Sequence, residues 1–262
     1  MKYILNFRDS KNAGAVNSGV FETGNGLGTE DDINFEEELI FLVHGFNINE
    51  DTGKRSLDDM INSLSISGKK VGFVSILWPG DHWAKPVNYI FENRDADDTA
   101  LNLSRKIAEI LKKDIEISFI AHSLGSRVVM QTIKYLEARD IFIKKIFLLA
   151  AAIDDFSLSA IKFYNSAAKQ AEKVHVVWSR KDKVLRWAYP AADFLQSFLF
   201  MDDDIGLALG SRGPKARKRK RENIPKNVTT YKCSNKHSEY LPKVNVNPKQ
   251  VQISNYINEH FI

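Results

Sequence analysis

Seven short apolar runs, rich in β-branched residues, recur along the 262-residue chain. They are 2–7 (K-Y-I-L-N-F), 38–43 (E-L-I-F-L-V), 71–77 (V-G-F-V-S-I-L), 115–120 (I-E-I-S-F-I), 144–150 (K-K-I-F-L-L-A), 173–178 (K-V-H-V-V-W) and 227–232 (N-V-T-T-Y-K). Most are unbroken rather than alternating with polar residues, which is the pattern of strands buried on both faces. Helical patterns fit 54–66, 97–113, 125–139, 157–171 and 248–261. Leu57, Met60, Ile61 and Leu64 mark one apolar helix face, and Val128, Val129, Ile133 and Leu136 another. The alternation predicts an α/β fold: a mostly parallel central sheet with helices on both faces.

The length suits one domain over 1–262. Residues 10–36, rich in Gly, Asn and acids, read as a long surface excursion, and 78–96 and 186–226 as cap or surface insertions. With 44% hydrophobic and 27% charged residues, collagen, coiled coil and wholesale disorder are excluded. No apolar run approaches the ~18 residues of a membrane span. The start, M-K-Y-I-L-N-F-R-D, is too short in apolar length for a signal peptide, so a cytoplasmic chain is expected. The lone Cys233 agrees with a reducing compartment.

The net charge of +4 comes from 37 basic and 33 acidic residues. Six of the basic ones, Lys215, Arg217, Lys218, Arg219, Lys220 and Arg221, fall in one heptad; without them the balance is 31 against 33, or −2. The chain is therefore a slightly acidic globule with one basic loop, and specific nucleic-acid binding is not expected.

The run 115–120 leads into A-H-S-L-G-S-R-V-V, with Ser123 between Ala121 and Gly125. A strand, a serine with small neighbours two residues away, then a helix is the pattern of a nucleophile elbow. The serine sits on a strained turn, and bulk at those neighbours would clash. The turn aims the Leu124 amide at the reacting carbonyl from a helix N-terminus, where negative charge is favoured. Upstream, the run 38–43 ends in His44-Gly45-Phe46-Asn47, where the Phe46 amide is the candidate second oxyanion donor. His44 reads as structural, holding that loop by a hydrogen bond.

A serine nucleophile needs a base. His44 and His122 belong to the two turns, His175 lies inside a strand pattern, and His260 ends the last helix. His82 precedes the serine in chain order, which leaves His237, in S-N-K-H-S-E-Y-L between the last strand and the last helix. The acid should follow a strand between Ser123 and His237. Asp182, in W-S-R-K-D-K-V-L, is the first candidate, and Asp154, in A-A-A-I-D-D-F, the alternative.

These residues resemble the α/β-hydrolase superfamily over nearly the whole chain. More narrowly, the chain is similar to bacterial α/β hydrolases of unknown function with H-G-F-N, S/L-W-P-x-G, A-H-S-x-G-x-R and a late H-S-x-Y. Here these are His44 to Asn47, Leu77 to Gly80, Ala121 to Arg127, and His237 to Tyr240. The family's A-L-G-x-x-G-P stands at Ala208 to Pro214, but its Pro-Asp after the sixth strand is replaced by Ile153-Asp154. That departure leaves the role of Asp154 open. The resemblance implies acyl transfer to water by a Ser123–His237–Asp182 triad, with no metal or organic cofactor. Neither H-x-x-E-H nor G-x-x-x-x-G-K-[ST] occurs, and G-N-G-L-G at 24–28 does not follow an expected strand.

For substrate, Trp78, Trp83, Tyr89, Ile90 and Phe91, then Trp187, Tyr189, Phe194, Phe198, Leu199 and Phe200, read either as an acyl pocket or cap or as helix core. As a pocket they fit a small-molecule or lipid ester. Two other readings stay open. One is an idle scaffold whose heptad holds an anionic membrane surface or nucleic acid. The other is a phospholipase-type toxin or defence effector with the same chemistry. Oligomeric state is not legible.

Overall fold

The computed structural model describes residues 1–9, 15–24, 26–66, 70–80, 89–111, 115–139, 141–160, 162–188, 207–216, 223–241 and 247–261. Among the described residues eight strands form one sheet: β1 (Lys2–Arg8), β2 (Val16–Phe21), β3 (Glu38–Val43), β4 (Val71–Leu77), β5 (Glu116–His122), β6 (Ile143–Leu149), β7 (Ala171–Trp178) and β8 (Val228–Lys232). Their order is β2-β1-β4-β3-β5-β6-β7-β8. Only β1 and β2 pair antiparallel, while the β1–β4, β4–β3, β3–β5, β5–β6, β6–β7 and β7–β8 pairs are parallel. All six residues of β3 are buried, as its apolar run predicts for a central strand.

The helices are α1 (Glu50–Ser63), α2 (Tyr89–Ile110), α3 (Gly125–Leu136), α4 (Asn165–Gln170) and α5 (Pro248–Phe261). From β3 the chain steps to β4 in one direction; from β4 it steps to β5, β6 and β7 in the other. Right-handed crossovers then put α1 on one face of the sheet and α2, α3 and α4 on the opposite face. The contacts agree: α2 packs on α3 and α3 on α4, whereas α1 meets α5. Phe261 of α5 stacks on Phe147 of β6 at 5.0 Å. Connections leaving β3 and β5 therefore diverge to opposite faces. In an open parallel sheet, the crevice beyond the C-terminal ends of two such strands is where ligands bind. His44-Gly45-Phe46 follows β3, and Ser123 follows β5.

Several segments differ from expectation. The 10–36 excursion contains the edge strand β2 and a 3-10 turn at Asp31–Phe35 that buries Ile33. The 24–28 glycine run thus does follow a strand, but an antiparallel edge strand, and it leads into that 3-10 turn. Helix α1 starts at Glu50 rather than 54, because the Asn49 side chain accepts the Thr52 N–H at 2.9 Å and caps it. The helix expected over 157–171 forms only at Asn165–Gln170. Ahead of it, Ser157 and Ser159 donate their hydroxyls to the carbonyls of Asp154 and Phe156, which favours turns over helix.

Neither segment read as an insertion is wholly one. Residues 89–96 open α2, and Trp78 is fully buried. Residues 207–210 run antiparallel to 151–155: Asp155 N–H bonds to Leu207 O (2.7 Å), Leu209 N–H to Ile153 O (2.7 Å) and Gly210 N–H to Ala151 O (2.9 Å). Among the described residues no helix is long and apolar enough to cross a membrane.

Candidate active site

Ser123 leaves β5 with φ +54°, in the left-handed region that costs an L-residue about 1–2 kcal/mol. The turn is held by its neighbours. Ser123 N–H donates to Leu149 O at the end of β6 (2.9 Å), and Ala152 N–H returns a bond to Ser123 O (3.1 Å). Two glycines make room for the tight packing. A Cβ on Gly125 would lie 2.5 Å from His44 O and 2.8 Å from Val43 O, and one on Gly45 would lie 2.9 Å from Ser123 Cβ. The β3 loop is thus pressed against the serine, which is the close approach a two-donor oxyanion site demands. Leu124 caps α3 and is fully buried.

His44 has no exposure. Its Nε2 accepts the Trp78 N–H (3.3 Å), so the proton sits on Nδ1 and is donated to Gly45 O (2.9 Å). Trp78 stacks on the ring and donates its indole N–H to His44 O (2.9 Å). His44 therefore braces the loop, as expected, and Trp78 is its buttress instead of a pocket wall. Of the remaining aromatic candidates, Trp83, Tyr189, Phe194, Phe198, Leu199 and Phe200 lie outside the described residues. Tyr89, Ile90, Phe91 and Trp187 have described backbone only.

His237 begins a 3-10 turn, His237–Glu239, closed by Glu239 accepting the Lys236 N–H at 2.7 Å. Its Nδ1 lies 2.8 Å from Asp182 Oδ2. Asp182 has no exposure, and its other oxygen accepts the Leu185 N–H at 3.0 Å. Of the two candidate acids, Asp182 is the one His237 meets. Asp154 instead forms an isolated antiparallel bridge with Ala208, and its carbonyl accepts from Ser157. Tyr240, also fully buried, caps the C-terminal end of the His237–Glu239 turn, with its hydroxyl 3.7 Å from Cys233 Sγ.

One contact was not expected from the sequence. His122 Nε2 is 3.0 Å from the main-chain O of His237. A carbonyl only accepts, so His122 carries its proton on Nε2 and tethers the backbone of His237 to the residue before Ser123. The rings of His122 and His237 are 4.9 Å apart. Desolvation, then the neighbouring His237, pushes the His122 pKa down to about 3 and keeps this donor neutral. The A-L-G segment also gains a role. A Cβ on Gly210 would fall 2.2 Å from Ala150 C, and Gly210 O accepts the Ser179 N–H (3.0 Å). It thereby clamps the end of β6, which holds Ser123, to the loop that carries Asp182.

The first residue of the heptad, Lys215, pairs with the Asp155 carboxylate. Arg217, Lys218, Arg219, Lys220 and Arg221 lie outside the described residues. Among the described residues no group of three His, Cys, Asp or Glu is placed to hold a metal ion.

His175, a core residue stacked on Phe147, has its pKa lowered to about 4, first by burial and then by His260. Its folded pKa, like that of His122, lies below the value of ~6.5 in an unfolded chain. The unfolded state thus binds more protons below that pH. The stability from keeping each ring neutral is complete above about 6.5 and is lost as pH falls, at up to about 1.4 kcal/mol per unit per histidine. Urea unfolding from pH 7.5 to 4.5 should show this slope, and His175→Phe, which retains the stack, should reduce it. An unchanged slope would remove His175 as its source.

The fold is similar to several solved structures. One is a type II thioesterase from the yersiniabactin NRPS/PKS biosynthetic pathway, at 11% identity over 92% of this chain and 95% of that one, TM-score 0.48. Another is carboxyl esterase 2 from the mycorrhizal fungus Tuber melanosporum, at 14% identity over 86% and 78%, TM-score 0.43. A third is a serine hydrolase involved in carbazole degradation, at 10% identity over 86% and 91%, TM-score 0.44. No curated protein sequence matches the chain. The model of one family, "Alpha/beta hydrolase of unknown function (DUF900)", matches residues 27–190, well over half of the chain, and the protein belongs to that α/β-hydrolase family.

Proposed function

We propose that the protein is a serine hydrolase that cleaves a carboxylic ester through Ser123, His237 and Asp182. The observation that carries this reading is the 2.8 Å contact between His237 Nδ1 and the buried Asp182, at the sheet end where Ser123 is held at φ +54°. Asp182 accepts a hydrogen bond from Nδ1–H and so holds the proton on that nitrogen, leaving the Nε2 lone pair as the base. His237 takes the Ser123 proton as Oγ attacks the ester carbonyl. The oxyanion rests on the amides of Phe46 and Leu124. Collapse of this intermediate expels the alcohol, which receives the proton from His237 Nε2. Water, deprotonated by the same nitrogen, then attacks the acyl-enzyme and releases the acid with Ser123 restored. The substrate class is an apolar acyl ester, short-chain or lipid-like.

A fluorophosphonate probe tests this directly. The wild-type protein should be labelled at one site, Ser123→Ala should not be labelled, and a panel of esters of graded chain length should find a substrate. A folded wild type that neither reacts with the probe nor hydrolyses any ester would sink the reading.

A further inference from the structure

Ser123 follows β5, whereas His237 follows β8, and the order β5-β6-β7-β8 puts three strand spacings, about 14 Å, between the two strands. A loop that crosses this distance keeps its imidazole in register with the serine only when it is anchored at both ends. The outer anchors lie at the start of α5. Asn235 donates its side-chain amide to Glu239 O (2.8 Å) and Lys249 O (3.2 Å). Lys249 Nζ reaches Ser234 O and the Glu239 carboxylate, each at 3.2 Å. At the serine end the anchor is His122, the last residue of β5, through its Nε2–H on His237 O at 3.0 Å. Asp182 holds the His237 ring at Nδ1, and a ring held at one atom still pivots about that bond. Fixing the backbone of the same residue removes the pivot, because the side chain turns only about χ1 and χ2.

The His122 ring also faces the loop after β3. A Cβ on Gly45 would lie 3.1 Å from His122 Nδ1 and 3.3 Å from His122 O. With its proton on Nε2, the ring turns a bare Nδ1 toward Gly45 and a donor toward His237. One side chain thus fills the gap between the loop that carries the Phe46 amide and the loop that carries the base. We propose that His122 is a positioning residue for His237, its Nε2–H setting the place of that imidazole relative to Ser123. His122 itself takes up no proton in the reaction. The effect on turnover rests on the serine-hydrolase reading; the effect on the His237–Asp182 pair does not. What the role requires is a donor at the reach of Nε2. Glutamine places its amide nitrogen as many bonds from Cα as Nε2 stands, whereas asparagine is one carbon shorter and places it where Nδ1 was.

The test has two arms. The first needs no substrate. Proton–nitrogen correlation spectra of wild type at neutral pH should show the His122 proton on Nε2 and a His237 Nδ1 proton far downfield, the signature of its bond to the Asp182 carboxylate. His122→Gln should keep that downfield resonance, and His122→Asn should broaden or lose it while still unfolding cooperatively in urea. If the asparagine variant fails to fold, His122→Ser, shorter still, takes its place. A His122 proton on Nδ1, a wild type without the downfield proton, or an equally sharp resonance in His122→Asn each overturns the proposal. The second arm measures kcat and KM on an ester that wild type cleaves. His122→Asn should lower kcat about 10- to 100-fold, the cost of a misplacement approaching 1 Å, with KM within about twofold. His122→Gln should restore most of that loss. Equal kcat in the two variants, or a loss confined to KM, overturns the proposal. Hydrolysis of no ester by wild type defeats the serine-hydrolase reading instead, and the first arm then decides whether His122 positions His237.

Discussion

Replacing Ser123 by alanine is expected to lower kcat/KM by about 10⁴- to 10⁶-fold for whichever ester the wild type cleaves, the usual cost of removing an activated nucleophile. A second substitution at the same position separates chemistry from folding. Ser123 is held at φ +54° by bonds to Leu149 O and from Ala152 N–H, so the strain belongs to the backbone and alanine inherits it. Glycine does not, and Ser123→Gly should be as inactive as the alanine variant yet more stable by about 1 kcal/mol, after its greater loss of chain entropy on folding is counted. Paired urea titrations of the two variants read that difference. Equal stabilities would mean that the turn stores no strain, and turnover within about tenfold of wild type by either variant would remove Ser123 as nucleophile.

The other large effect concerns the acid. Asp182→Asn keeps the shape but changes what faces His237 Nδ1, and an amide can donate where a carboxylate only accepts. Imidazole then presents its proton toward Ser123, the wrong tautomer for a base, and kcat should fall by about 10⁴-fold with little change in KM. Asp154→Asn should stay within about threefold of wild type, since Asp154 lies at the bridge to Ala208 and not at His237. Steady-state kinetics of both variants on the same ester decide the matter. If Asp182→Asn is fully active and Asp154→Asn is not, the roles assigned above are exchanged.

The strands that sequence reveals are those whose burial leaves a trace in residue type. β3, β4 and β6 are nearly solid apolar runs because both their faces are covered. β2, V-N-S-G-V-F, is paired on one side only and buries just Gly19, which sits against the Phe7 ring, so no alternation marks it. The two turns and the Asp182–His237 pair were legible because strained geometry demands small residues and the chemistry demands particular side chains in a particular chain order. The His122 tether and the docking of Ala208 to Gly210 on Ala150 to Ile153 were not. Each ends on a main-chain group in a segment more than 50 residues away, and main-chain groups are the same at every residue.

The bond from His122 to the carbonyl of His237 has a bearing on motion. The tripeptide His122-Ser123-Leu124 carries the hydroxyl of the proposed nucleophile, one of the two amides proposed for the oxyanion and the tether to the His237 backbone on a single short stretch of chain. When this stretch shifts as a unit, the imidazole shifts with it, and the separations that set the reaction rate are preserved. Displacements common to all the partners cancel; only those that divide them matter. A site joined in this way tolerates sway in the surface loops that would ruin one whose parts were anchored independently.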